Sequence, residues 1–107
     1  MTRIVRRTHR GVIVVRIEGD VGLERARDFE EALRGAPGDR LVVDLRKTHH
    51  LHYRMASQLL RLARRRRVQL VGPSPYLRQI LRFVGGADGE LPEFRTLREA
   101  LQAHDAA

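Results

Sequence analysis

The chain contains no cysteine, no tryptophan and a single lysine. Without cysteine there is no disulfide framework and no thiol nucleophile, and the redox compartment stays open. Aromatic residues are 5% of the 107 positions, three Phe and two Tyr. That is little to offer as stacking platforms, the usual companions of a basic nucleic-acid-binding stripe, and most of these rings are expected in the core. No apolar run approaches the ~20 residues that a spanning helix needs. The run from Gly11 to Ile17 is short and contains Arg16, so it is not a signal-type core. The expectation is a cytoplasmic protein that reaches a membrane only through a partner.

What is abundant is arginine. Lys and Arg total 21 against 13 acids, a net charge of +8. Such a balance suits an acidic partner, whether nucleic acid, anionic lipid or acidic protein. The arginines are spread along the whole chain, however, which is also how an ordinary solvated surface is written. Apolar content of 42% suits one modest core and hence a single domain over 1–107. Residues 1–10 form a basic N-terminal strand or arm, and 104–107 a frayed tail.

Hydrophobic periodicity supplies the elements. Arg3 to Arg7 and Val12 to Ile17 read as an antiparallel hairpin, with Glu18, Gly19 and Asp20 ending the second strand. Ala26, Phe29, Ala32 and Leu33 recur at helical spacing within Leu23–Leu33, and residues 35–39 break that helix. Leu41 to Leu45 reads as a buried central strand, followed by a polar loop of Arg, Lys, Thr and His. A second helix runs from about Tyr53 to Arg65, with Met55, Ala56, Leu59 and Leu60 inward. Its Arg64–Arg67 run sits where cations complement the helix C-terminus. Val68–Val71 is another buried strand. Ser74 and Pro75 are a cap and first-turn residue for a third helix, in which Tyr76, Leu77, Ile80, Leu81 and Val84 recur. Pro92 limits Leu91–Phe94 to a short edge strand. Thr96 with Glu99 is a capping box for the last helix. The order ββαβαβαβα implies an α/β domain: a mixed, mostly parallel sheet of four to five strands with about four helices.

The stretch from Leu41 to Leu60 is where a working surface is expected, since sites in open α/β sheets form at the carboxyl ends of strands. His49, His50 and His52 suggest a metal site, but no further ligand is in view and a polar loop explains them. His52 with Ser57 lacks an orienting third group for nucleophilic chemistry. No catalytic residue, metal or cofactor is expected.

These segments together resemble the STAS domain of bacterial anti-sigma factor antagonists and related regulators. VIVVRIEGDV, the strand ending in Asp44-Leu45, VGPSPYLRQILRFVGG and LPEFRTLREAL carry the resemblance over almost the whole length. It implies a regulatory protein-interaction domain in which a kinase, itself the anti-sigma factor, phosphorylates a Ser at the start of the second helix. A helix N-terminus tolerates phosphate through its free N–H groups and dipole. Here the family's Ile-Asp-Ser-Ser-Gly-Leu falls on Leu51–Leu60 differently: Asp on His52, the two Ser on Tyr53 and Arg54, Gly on Met55. Arg54 cannot accept phosphate, so this is a degenerate phosphosite with Tyr53 as neighbour. The expected partner surface is Lys47, Thr48, His49, His50, His52, Tyr53 and Arg54, with Ser57, Gln58 and Arg61 on the outer face of the helix.

Three function classes follow. The first is a non-catalytic regulatory domain of antagonist type, docking an anti-sigma factor or serine kinase without the usual switch. The second is a STAS subunit of a larger transporter-associated or signalling-scaffold assembly. The third, less favoured, is a binder of nucleic acid or anionic lipid through its Arg clusters. A homodimer is left open.

Overall fold

Val12, Ile13, Val14 and Val15 are β-branched without interruption, and the strand they open, β2 (Val12–Val21), is paired on both sides. In the computed structural model, which describes residues 2–34 and 40–106 with side chains up to residue 103, β2 pairs antiparallel with β1 (Arg3–His9). It pairs parallel with β3 (Arg40–Leu51), which in turn pairs parallel with β4 (Arg67–Val71), and β4 with the two-residue β5 (Glu93–Phe94). The order β1-β2-β3-β4-β5 is sequential. Sequential parallel strands with crossovers of one hand put every crossover helix on the same face. These are α1 (Ala26–Leu33), entered by a 3-10 turn at Leu23–Arg25, α2 (Tyr53–Ala63) and α3 (Pro75–Gly85). The final helix α4 (Leu97–Ala106) packs on β3, β4 and β5. The expected α/β domain of four to five strands and about four helices is the fold observed, with five strands and four α-helices among the described residues.

Strand alternation divides the core accordingly. Ile13, Val15, Ile17, Leu41, Val43, Leu45 and Leu70 join Phe29, Met55, Leu59 and Leu77 in the main core. Val12, Val14, Val42, Val71 and Ala100 form a smaller cluster beneath α4. The caps of α3 and α4 are as their residues imply. Ser74 Oγ accepts from the Leu77 N–H at 3.2 Å, and Thr96 Oγ1 from the Glu99 N–H at 3.1 Å. The helix break expected at residues 35–39 lies outside the described residues. The α4 backbone stays helical past His104, where a frayed tail is expected; its Ala-rich end is a good helix former.

Two expectations are corrected together. Glu18–Asp20 do not end β2, and Arg46–Leu51 are not a loop: the two polar stretches pair with each other. Glu18 lies beside Lys47, Gly19 beside Thr48, Asp20 beside His50 and Val21 beside Leu51. The register shifts twice, between Arg16 and Glu18 and between Gly19 and Asp20, each shift placing one extra residue on β3. Two bulges space the inward residues of β3 at Leu45, Thr48 and Leu51, all buried. A spacing of three is invisible to a search for alternation by two.

Candidate functional site

The tip of α2 is assembled from the last residues of this bulged ladder. Val21 and Leu51 are buried side by side, and the His52 N–H donates to the Val21 carbonyl at 2.9 Å. His52 is thereby pinned at the N-cap in extended conformation (φ −60°, ψ 148°). Its carbonyl accepts from the N–H groups of Met55 and Ala56 at 2.9 and 3.0 Å. Its Nδ1 accepts from the Arg54 N–H at 3.1 Å. An imidazole thus does the work normally given to Asp, Asn, Ser or Thr. The bond assigns the acceptor role to Nδ1, so the neutral ring carries its proton on Nε2.

Arg54 occupies the second position of the helix and is exposed. A guanidinium there meets the positive end of the helix dipole, a cost of about 0.3–1 kcal/mol at an exposed site. No acid stands in the first turn to offset it. Among the described residues no ion pair engages Lys47, Arg54 or Arg61. These three cations are exposed and face solvent with their charge unspent.

The other expected site residues divide into two groups. His49 and Tyr53 are exposed, while His50, Ser57 and Gln58 are half-buried. Thr48 does not belong to the surface. It is 3% exposed, and its hydroxyl donates to the Ile17 carbonyl at 2.8 Å, satisfying a strand acceptor where the ladder slips. The three histidines have separate tasks: His50 Nδ1 is 2.8 Å from the Tyr76 hydroxyl, His52 caps α2, and His49 points outward. Among the described residues no group of three His, Cys, Asp or Glu is arranged to hold a metal ion.

The aromatic side chains overturn a second expectation. Only Phe29 is a deep core residue, while Tyr53, Tyr76 and Phe83 are 56%, 48% and 78% exposed. They gather beside the tip. The Tyr53 and Phe83 rings lie 5.5 Å apart and tilted by 36°, and Tyr76 stacks on His50 at 5.8 Å. Tyr76 and Phe83 are seven residues apart on α3, hence on one face. That spacing was present in the sequence. It is masked because Tyr76 also fits the inward pattern, while Phe83 falls between inward positions.

Behind the tip, Asp44 is buried at the end of the apolar part of β3. Arg46 returns over it, with Nε on Oδ1 at 3.0 Å, NH2 on Oδ2 at 2.8 Å and its own backbone N–H on Oδ1 at 3.1 Å. This carboxylate hydrogen bond raises the Arg46 guanidinium above its ordinary value, so it is charged at every ordinary pH. The arginine stem lies against Gly72, whose φ is +59°; a Cβ there would fall 2.4 Å from Arg46 Cγ. Glycine is therefore required twice over, by conformation and by contact.

No helix among the described residues is long and apolar enough to cross a membrane. A comparison with curated proteins finds no match. The family model described as "Mlab, STAS domain" matches residues 4–99. Among solved structures, an anti-sigma factor antagonist from Mycobacterium paratuberculosis is 24% identical, with a TM-score of 0.74 over 96% of this chain and 93% of that one. A variant of RsbS from Moorella thermoacetica is 21% identical, TM-score 0.76, covering 97% and 96%. The Bacillus cell fate determinant SpoIIAA in its phosphorylated form is 18% identical, TM-score 0.67, covering 95% and 99%. At these identities the likeness is one of fold. With sheet order, crossover helices and a family match over nearly the whole length in agreement, the chain belongs to the STAS domain family.

Proposed function

We propose that this chain is a non-catalytic regulatory domain that docks a partner protein with the tip of α2, and that the tip is held in one state. The observation that carries the reading is Arg54, exposed at the second position of α2 with its N–H capped by the His52 imidazole. The STAS antagonists that the chain resembles switch by adding charge to a hydroxyl at this helix start, and SpoIIAA has been solved in a phosphorylated form. Here the same place carries a permanent positive charge. A docked partner would meet a guanidinium next in sequence to Tyr53, whose exposed ring lies against that of Phe83. Tyr and Arg are among the residues enriched at interface hot spots.

The remaining hydroxyls make poor substitutes. Thr48 is buried and hydrogen-bonded, Ser57 is half-buried one turn into the helix, and a serine kinase is not expected to accept Tyr53. The partner class that fits is an anti-sigma factor or serine kinase with an acidic docking patch, and association should weaken with salt. Incubation with candidate Ser/Thr kinases and ATP, followed by mass spectrometry, tests the fixed state. No phosphate is expected on the wild type; stoichiometric phosphate on Thr48 or Ser57 would overturn the reading.

A second reading draws on the description of the matched family, the Mlab type of STAS domain. In it the chain is a STAS subunit of a larger transporter-associated or signalling-scaffold assembly. Co-purification with a membrane complex, rather than with a soluble kinase, would favour it.

A further inference from the structure

A recess lies along α2, away from the tip. It is a groove of about 430 Å³ between α1 and α2. Leu33 and Leu62 make its apolar walls, and Arg61 and Arg65 stand on its rim. Glu30 also faces it, but that carboxylate is taken by Arg34 at 2.6 Å. Arg61 and Arg65 have no acidic partner among the described residues. Between them and the tip sits Gln58, whose Oε1 is buried with no hydrogen-bond partner. A buried acceptor without a donor costs free energy, and because Gln58 lines the groove, turning its amide outward would let an arriving N–H satisfy it. Gln58 and Arg61 are three residues apart and share one face of α2, and Arg65 follows in the turn just past the helix end at Ala63.

We propose that this groove is a docking site for an acidic, amphipathic segment of a partner protein. Resting on the protein-docking reading above, the proposal adds a second contact and the chemistry of what fills it. Apolar side chains of the segment lie on Leu33 and Leu62, carboxylates pair with Arg61 and Arg65, and a backbone or amide N–H meets the Gln58 amide as it turns outward. Nucleic acid fits less well. Phosphates bring no donor for Gln58, a lone acid faces the groove, and no aromatic ring lines it for a base to stack on.

The test is a titration of isotope-labelled protein, followed by amide chemical shifts. The probe is a short synthetic peptide of alternating Glu-Glu and Leu-Leu pairs. Shifts are expected to concentrate on Leu33, Gln58, Arg61, Leu62 and Arg65. Reversing both rim charges (Arg61→Glu with Arg65→Glu) should weaken binding about tenfold or more, the equivalent of 1.4 kcal/mol per factor of ten. Gln58→Leu should weaken it without lowering thermal stability, because the change removes an unpaired polar atom. Arg54→Asp should leave the groove shifts in place. The proposal is overturned if the peptide gives no shifts, or if they confine themselves to His52, Tyr53 and Arg54. It is equally overturned if a Glu-Glu/Ser-Ser peptide or an oligothymidine shifts the same amides as strongly. Shifts at the tip alone would leave the reading of Arg54 standing, so the two failures are told apart.

Discussion

Of the helices that start at the carboxyl end of this sheet, α2 and α3 start differently. The first residues of α3 follow the ordinary rules: Ser74 caps through its hydroxyl, Pro75 takes the first turn, and Leu77 anchors the start in the core. The first residues of α2 depart from them. Its cap is an imidazole, its second residue is a cation at the positive dipole end, and the ring of Tyr53 is left in solvent. Both starts succeed, because α2 is held from below by Leu51 and by the His52–Val21 backbone bond. Tertiary anchoring allowed α2 to give up good local chemistry at its tip. Local rules broken at a well-supported place are a mark of function, and α3 is the internal control.

The largest expected effects test whether the two starts are equally anchored. Leu51→Ala and Leu77→Ala each remove a fully buried side chain and should each cost about 2–5 kcal/mol in denaturant unfolding. A much smaller loss for Leu51→Ala would mean that the bulged ladder does not carry the tip. Next comes the packing of Arg46 behind the tip of α2. Gly72→Ala, at positive φ and against Arg46, should cost about 1–3 kcal/mol; an unchanged midpoint would show that Arg46 swings away freely.

The caps sharpen the comparison further. His52→Ala and Ser74→Ala should each cost about 0.5–2 kcal/mol. His52→Asp, placing a carboxylate at the cap, should recover the loss and gain from the dipole. Thermal unfolding of the three variants side by side gives the ranking. Arg54→Asp reverses the unfavourable charge and should raise stability by about 0.3–1 kcal/mol, while partner binding falls in a pull-down. Stability gained as binding is lost would mark Arg54 as retained for docking.

The smallest effect is that of pH on the Asp44–Arg46 pair. A guanidinium raised in the folded state contributes its stability at all pH values below the ordinary arginine value and loses it only above. Wild type and Arg46→Gln should therefore differ by the same amount at neutral and mildly alkaline pH, read from urea midpoints. A difference that shrinks between those conditions would argue against the pairing.

Much of this was legible beforehand, and the exceptions have causes. Leu41–Leu45 is buried on both faces and so reads as an apolar run interrupted only by Asp44. Ser74-Pro75 and Thr96 with Glu99 announce their helices through residues within one turn. Glu18–Asp20 and Arg46–Leu51 carry no such signal, since backbone pairing needs no apolar side chains and the bulges break the period. Tyr76 and Phe83 were hidden because a ring on an amphipathic helix is read as core unless its neighbours in space are known. Gln58 and Arg61 were expected on the outer face of α2, but the groove they share with Leu33 needs α1 beside it.

The amino-acid sequence alone determined the order of elements, the mostly parallel sheet, the capped starts of α3 and α4, and the cation in the first turn of α2. All of these are local, set by propensity and spacing within a turn or a strand. Only the tertiary structure decided that two polar stretches about thirty residues apart would pair, that three rings would stand in solvent, and that Thr48 would turn inward. Those outcomes depend on which surfaces meet, and contacts between distant segments are chosen by the packing of the whole core rather than by any one segment of it.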